Sequence, residues 1–282
     1  MSFTAACIQL TSGPDIESNI EAAEVLIREA AGKGATLIVT PEVTDLICQG
    51  REDRLAKART QDEHPGISRF SALAKELGIW LIAGSFLIKI DEERLANRCF
   101  VFNPQGAIAA QYDKIHMFYV DLPSGEQRHE SALVRPGDRA VCCDTSFARL
   151  GLSICYDVRF PELYGELAKA GAGVITIPAA FTVPTGQAHW HVLVRARAIE
   201  AGAYILAPAQ CGSHDNDRRR TYGHSLIVTP WGEILAEAGE TPGVITAEID
   251  MNRVEAAHAA VPRLHQLRNF QPPEITNEER AV

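Results

Sequence analysis

The sequence predicts an α/β fold built on mixed rather than all-parallel sheets. Strand-like and helix-like segments alternate along most of the 282 residues. Several of the strands are continuous apolar runs, as expected where a sheet is covered on both faces. Hairpin-like pairs interrupt the alternation, so some neighbouring strands must run antiparallel.

The elements follow in order. "FTAACIQL" (3–10) reads as a strand and "DIESNIEAAEVLIREAAGKG" (15–34) as a helix. In that helix Ile16, Ile20, Ala23, Ile27 and Ala30 share one face, and Gly32 and Gly34 supply the stop. "ATLIVTPE" (35–42) is an apolar run, and a helix near 66–77 leads into a strand at 79–88. "NRCFVFNPQGAIAAQYDK" gives two strands around Asn103-Pro104-Gln105-Gly106. The section from His116 to Asp138 is loop-rich and too long for a simple connection. "AVCCDT" and "ARLGLSIC" are two more strands, and a helix starts near Pro161, a residue suited to a first helical turn. "AGVITIP", "AYILAPA", "HSLIVTP", "EILAEA" and "VITAEID" add strands, with a helix from about Gln187 to Ala201 between the first two. Residues 1–261 are expected to form one domain. Residues 262–282, with Pro272-Pro273 and many polar side chains, form an extension over the surface or against another subunit.

Composition excludes several classes. The net charge is −9, from 27 basic and 36 acidic side chains, the opposite of what a nucleic-acid backbone requires. Arg218-Arg219-Arg220 is the one tight basic cluster, and after Asp215 and Asp217 it reads as a solvated loop. The seven cysteines form no Cys-x-x-Cys motif or disulfide spacing, which fits a reduced, cytoplasmic setting. The N-terminal residues do not resemble a signal peptide. The uncharged runs are too short or too broken by proline to span a membrane.

Three reactive groups stand at strand ends. Glu42 closes the run 35–42, Lys114 follows a strand at 107–112, and Cys155 ends "ARLGLSIC". Catalytic groups in α/β sheets gather beyond strand ends. Each residue also has a plain structural reading: a core thiol, a surface carboxylate, a snorkelling lysine. The chemical reading is coherent nonetheless. Only roughly 3% of a free cysteine is thiolate at pH 7, so a nucleophile needs a base or a positive field. Glu42 could take the thiol proton, Lys114 could hold a thiolate or oxyanion, and the N–H of Tyr156 is a second candidate oxyanion donor.

The segments "VTPEV", "YDKIHMF", "ICYDVRFPEL", "GQAHWHVLVRARAIE" and "YGHSLIVTPWGEILAEA" resemble, in order, successive motifs of the nitrilase superfamily, the carbon–nitrogen hydrolases. The resemblance runs from residue 3 to about 250. It implies a four-layer αββα sandwich of two mixed sheets, a subunit that pairs into a homodimer, and a cofactor-free, metal-free amidase. It also implies a catalytic triad of Glu42, Lys114 and Cys155, with a second glutamate beside the lysine. Glu130, in "HESALVRPGD", matches the family's Glu-Ser pattern; Glu126 is the alternative.

"CYDVRF" is similar to amidase branches rather than true nitrilases. By that resemblance Arg159 would hold a substrate carboxylate, which suits a bidentate guanidinium, and Thr185 would assist. The other reading of Arg159 is an ion pair with Asp157 or Glu162. "PAQCGSHDNDRRRTYGHSLIV" is closest to the deaminated-glutathione amidase branch. The leaving Cys-Gly portion would then extend towards His214 and Arg218–Arg220. An omega-amidase acting on 2-oxoglutaramate, an N-carbamoyl amidohydrolase, or a non-catalytic scaffold on the same fold are the alternatives. His189 and His191 in "HWH" lack a third ligand at metal-site spacing. His224 reads as a structural histidine, and Cys142 and Cys143 as inert thiols.

Overall fold

The computed structural model describes residues 1–121, 127–217 and 219–273. It contains β1 (Ser2–Gln9), α1 (Ile16–Gly32), β2 (Leu37–Val39), α2 (Arg51–Lys57) and α3 (Pro65–Leu77). Next come β3 (Trp80–Lys89), β4 (Leu95–Phe102), β5 (Ile108–Asp113), β6 (Tyr119–Asp121) and β7 (Gln127–His129). β8 (Cys142–Asp144), β9 (Arg149–Leu152), α4 (Pro161–Lys169), β10 (Val174–Thr176) and α5 (Val183–Ala201) follow. The chain continues through β11 (Tyr204–Ala207), β12 (Cys211–His214), β13 (Arg219–Tyr222) and β14 (Leu226–Val228). β15 (Ile234–Glu237), β16 (Gly243–Asp250) and α6 (Asn252–Ala260) complete it.

Two mixed sheets result. One has the order β16-β1-β2-β3-β4-β5, with β1, β2 and β3 parallel and the remaining pairs antiparallel. The other has the order β15-β14-β11-β10-β9-β8, with β11, β10 and β9 parallel. The period-2 alternation of a strand sorts the first sheet's side chains into two cores. Cys7, Val39 and Ile82 pack with the second sheet and the α4–α5 side. Ile8, Ile38 and Leu81 pack under α1 and α3. The layers are therefore α, β, β, α.

Local chemistry explains the element ends. Asp15 caps α1, its carboxylate accepting from Ser18 N at 2.9 Å, and the buried face is the expected Ile16, Ile20, Ala23, Ile27 and Ala30. α5 starts at Val183 rather than near Gln187, because Pro184 occupies the first turn, where its missing N–H has no intrahelical partner to lose. Gly186 lets α5 approach β13: a Cβ there would lie 2.3 Å from Tyr222 Cγ.

Three regions depart from the sequence reading. α2 buries no side chain and α6 only Ala257, so neither shows apolar periodicity. The section after His116 contains a hairpin, Tyr119–Asp121 against Gln127–His129. Arg219 and Arg220, expected in a solvated loop, lie on strand β13, paired with His214 and Ser213. Its turn uses Asp215, Asn216 and Asp217 at φ 49, 56 and 65, left-handed values that Asp and Asn tolerate better than most residues. Arg218 lies outside the described residues, as do Glu126 and the end of the C-terminal extension.

Candidate active site

Glu42, Lys114, Glu130 and Cys155 line one cavity of about 240 Å³. Each is fixed by its own backbone. Glu42 lies just beyond β2, before Val43 at φ 47, an outlying conformation for a β-branched residue. Val43 N donates to Ser85 Oγ at 2.8 Å, and Gln210 Nε2 donates to Glu42 O at 3.1 Å. β3 comes close enough here to require Gly84, whose Cβ would sit 1.9 Å from Thr40 O. Lys114 follows β5; its N donates to Asn97 O at 3.0 Å, and Gly137 N donates to its carbonyl at 2.7 Å.

Cys155 opens a 3-10 turn, Cys155–Arg159, which Ser153 and Ile154 separate from β9. Its φ is 50, and its N donates to Pro178 O at 2.8 Å. Asp157 braces this elbow. Its carboxylate accepts from Ile154 N at 2.9 Å, Tyr112 OH at 2.6 Å and His116 N at 2.9 Å. Strained backbone persists only where surroundings over-determine it, and here it flanks both the thiol and Glu42.

The side chains form a continuous charge network. Lys114 Nζ donates to Glu42 Oε1 and Glu130 Oε2, each at 2.8 Å. Asn97 Nδ2 bridges the same carboxylates, at 2.9 Å to Glu42 Oε1 and 3.2 Å to Glu130 Oε1. Phe118 N donates to Glu130 Oε2 at 2.7 Å. Burial pushes the Glu42 carboxyl up, but the charge and hydrogen bond of Lys114 outweigh it and hold Glu42 below its ordinary range. Burial disfavours the ammonium of Lys114, yet Glu130 and Glu42 raise it well above normal. Burial and the neighbouring Glu42 charge raise the Cys155 thiol well above its ordinary value. Burial thus favours the neutral thiol of Cys155, beside a Glu42 carboxylate that Lys114 keeps charged.

The remaining expected residues divide. Tyr156, Arg159 and Thr185 all line the cavity. The Arg159 guanidinium lies 5.5 Å from the ring centres of Tyr156 and Phe181 and 3.3 Å from His189 Nδ1. It makes no ion pair with Asp157, which is occupied at the elbow. His214 is buried beside Ser12 O and Thr221 Oγ1, each 2.7 Å away; burial lowers its pKa to about 4. It does not line the cavity, contrary to the sequence reading, whereas Arg219 does. His189 and His191 serve different partners, since His191 Nε2 lies 3.0 Å from Glu237 Oε1. Burial raises the thiols of both Cys142 and Cys143.

Sequence reasoning missed Asn97 and Arg54, both of which line the cavity, whereas Arg219 was among the basic residues expected towards the leaving group. An asparagine inside the apolar strand "LANRCFVF" was the available signal for Asn97. Arg54 sits on α2, which had no pattern to reveal it.

With fold and site in hand, comparison with known proteins settles the class. The chain belongs to the carbon-nitrogen hydrolase family, whose model matches residues 4–259, and it is a hydrolase acting on amides. It is 41% identical to a deaminated glutathione amidase of Synechocystis sp., over 93% of this chain and 97% of that protein. It is 38% identical to the Homo sapiens protein of that name, covering 93% of this chain and 81% of the other. Among solved structures, it is similar to the Caenorhabditis elegans NitFhit protein with a TM-score of 0.89 and 36% identity, over 95% of this chain and 65% of that longer one. It also resembles Saccharomyces cerevisiae Nit3, of the nitrilase superfamily, with a TM-score of 0.83 and 30% identity, over 93% and 94% of the two chains.

Proposed function

We propose that this protein is a thiol amidase that hydrolyses deaminated glutathione to 2-oxoglutarate and Cys-Gly through a thioester on Cys155. The observation that carries the mechanism is buried Lys114 bridging Glu42 and Glu130 in the one cavity that Cys155 also lines. As Sγ attacks the amide carbonyl, Glu42 takes its proton. Lys114 Nζ and the N–H of Tyr156 hold the resulting oxyanion. Collapse breaks the C–N bond, and the proton passes from Glu42 to the leaving amine. Water then attacks the thioester with Glu42 or Glu130 as base, which releases the acid and restores the thiol. Asn97 keeps the two carboxylates in register.

The substrate reading rests on the amidase relatives and on local charge. The chain carries −9 overall, so a dicarboxylate needs positive groups where it binds. Arg54, Arg159 and Arg219 all line the cavity. Arg159 takes the carboxylate of the 2-oxoglutaryl end, with Thr185 beside it. Arg219 stands towards the Cys-Gly carboxylate. The test is kcat/KM for deaminated glutathione against 2-oxoglutaramate. A higher value for the former is expected; an equal or lower one makes the protein an omega-amidase.

The functional unit we propose is a homodimer in a reducing cytoplasm. Trp231 is 57% exposed and lines one surface pocket with the exposed Ile199 and Val261, and an apolar patch of this kind marks a protein contact. Just after α6, Arg263 Nη1 donates to Glu200 O at 2.9 Å. All seven cysteines are unpaired. No described helix is long and apolar enough to cross a membrane.

A further inference from the structure

Outside the catalytic cavity, one side-chain cluster gathers three groups that commonly ligate metals. His191 projects from α5, His224 lies between β13 and β14, and Glu237 ends β15. Glu237 Oε1 is 3.0 Å from His191 Nε2 and 2.9 Å from His224 Nδ1, and the three donor atoms lie within 4.8 Å of one another. Donors about 2.0–2.1 Å from a tetrahedral zinc ion stand roughly 3.3 Å apart. The spacing already approximates that arrangement. None of the three residues lines the catalytic cavity.

The surroundings hold the donors in place. His224 is not a glycine, yet it adopts φ 55. Its N donates to Gly239 O at 3.0 Å, Trp190 Nε1 donates to its carbonyl at 2.7 Å, and the Tyr222 ring stacks on its imidazole with centres 4.3 Å apart. Such over-determination of a strained residue is a mark of function. On the far side of the ring, Glu240 Oε1 is 4.0 Å from Nε2, the place of the outer carboxylate that orients a ligating histidine. All three side chains keep solvent access, so exchangeable waters can complete a coordination shell.

We propose that His191, His224 and Glu237 form a binding site for a divalent transition-metal ion, zinc foremost, separate from the amidase centre. Two imidazoles and one carboxylate are a donor set suited to such ions. Without metal, each ring donates an N–H to the shared carboxylate oxygen. Binding moves those protons to the outer ring nitrogens, Nε2 of His224 and Nδ1 of His191, and turns both lone pairs inward. The ion then ties α5 to the β14–β15 edge. Because α5 also carries Thr185 and His189, the partner of Arg159, the site braces the wall of the catalytic cavity without touching substrate.

The test is titration of the full-length protein with zinc by calorimetry and with cobalt(II) by absorption spectroscopy. One equivalent should bind, with visible d–d bands but no near-ultraviolet thiolate-to-cobalt band, and zinc should raise the Tm. His224→Asn, which tolerates the left-handed backbone, and Glu237→Gln should each weaken binding by on the order of 10²-fold, at or beyond the upper end of outer-shell effects. His191→Gln, on a solvent-facing helix position, gives a third variant should either of those misfold by circular dichroism. A thiolate band, undiminished affinity in the folded variants, or no binding at millimolar zinc overturns the proposal.

Discussion

At the residue scale, Lys114 carries two burdens that a single substitution separates. It is 2% exposed and bonded to two carboxylates, so Lys114→Met strands buried negative charge. Removing one partner of a buried ion pair costs about 3–5 kcal/mol, and removing an oxyanion donor costs on the order of 10²–10³ in rate. Thermal melts and kcat should show both losses. Adding Glu42→Gln should restore part of the stability and none of the activity, whereas a double variant no more stable than the single one contradicts the ion-pair account.

The pH dependence follows from the same pair. Burial raises the Glu42 carboxyl, but Lys114 prevails and holds it below its usual 4.5. A depressed carboxylate contributes stability that is present above its unfolded pKa and lost as pH falls through its folded one. As a base, Glu42 should keep kcat/KM intact until pH drops below that usual value. In Lys114→Met the residual acid limb should move to higher pH, because the main group opposing burial is gone. An unmoved limb in the pH–rate profile assigns the base elsewhere.

At the scale of elements, apolar pattern decided what was legible. α1 and the buried strands announce themselves because a covered face imposes a period. Glu42, Lys114 and Cys155 come just after β2, β5 and β9, a placement the sequence also suggests, although β5 is only partly buried. The hairpin β12–β13 was not legible. Its strands bury alternate polar residues such as His214 and Thr221, and its turn depends on left-handed Asp and Asn, which sequence alone reads as loop. Composition alone therefore reads Arg219 as a solvated charge, and only the family resemblance directs it towards the substrate, in keeping with its place in the cavity lining. Asn97 was hidden differently, beside Arg98 on a mostly apolar strand. Arg219→Ala should lower kcat/KM for deaminated glutathione several-fold more than for 2-oxoglutaramate, and more at low salt than at high. Equal losses on both substrates remove Arg219 from leaving-group recognition.

At the scale of the molecule, the two cores place Glu42, Lys114 and Cys155 around one cavity, while a separate apolar patch is left exposed. Ile199→Glu with Trp231→Glu should convert the proposed dimer to monomer, as read by light scattering coupled to size exclusion. A wild-type protein that is monomeric at micromolar concentration contradicts the dimer. The central claim is the Cys155 thioester, and one measurement addresses it directly: peptide-mapping mass spectrometry of enzyme acid-quenched during turnover of deaminated glutathione. The account predicts a 2-oxoglutaryl adduct on the peptide containing Cys155, discharged by hydroxylamine and missing from a folded, inactive Cys155→Ala variant. Turnover by the alanine variant, or an acyl adduct that persists in it, contradicts the account.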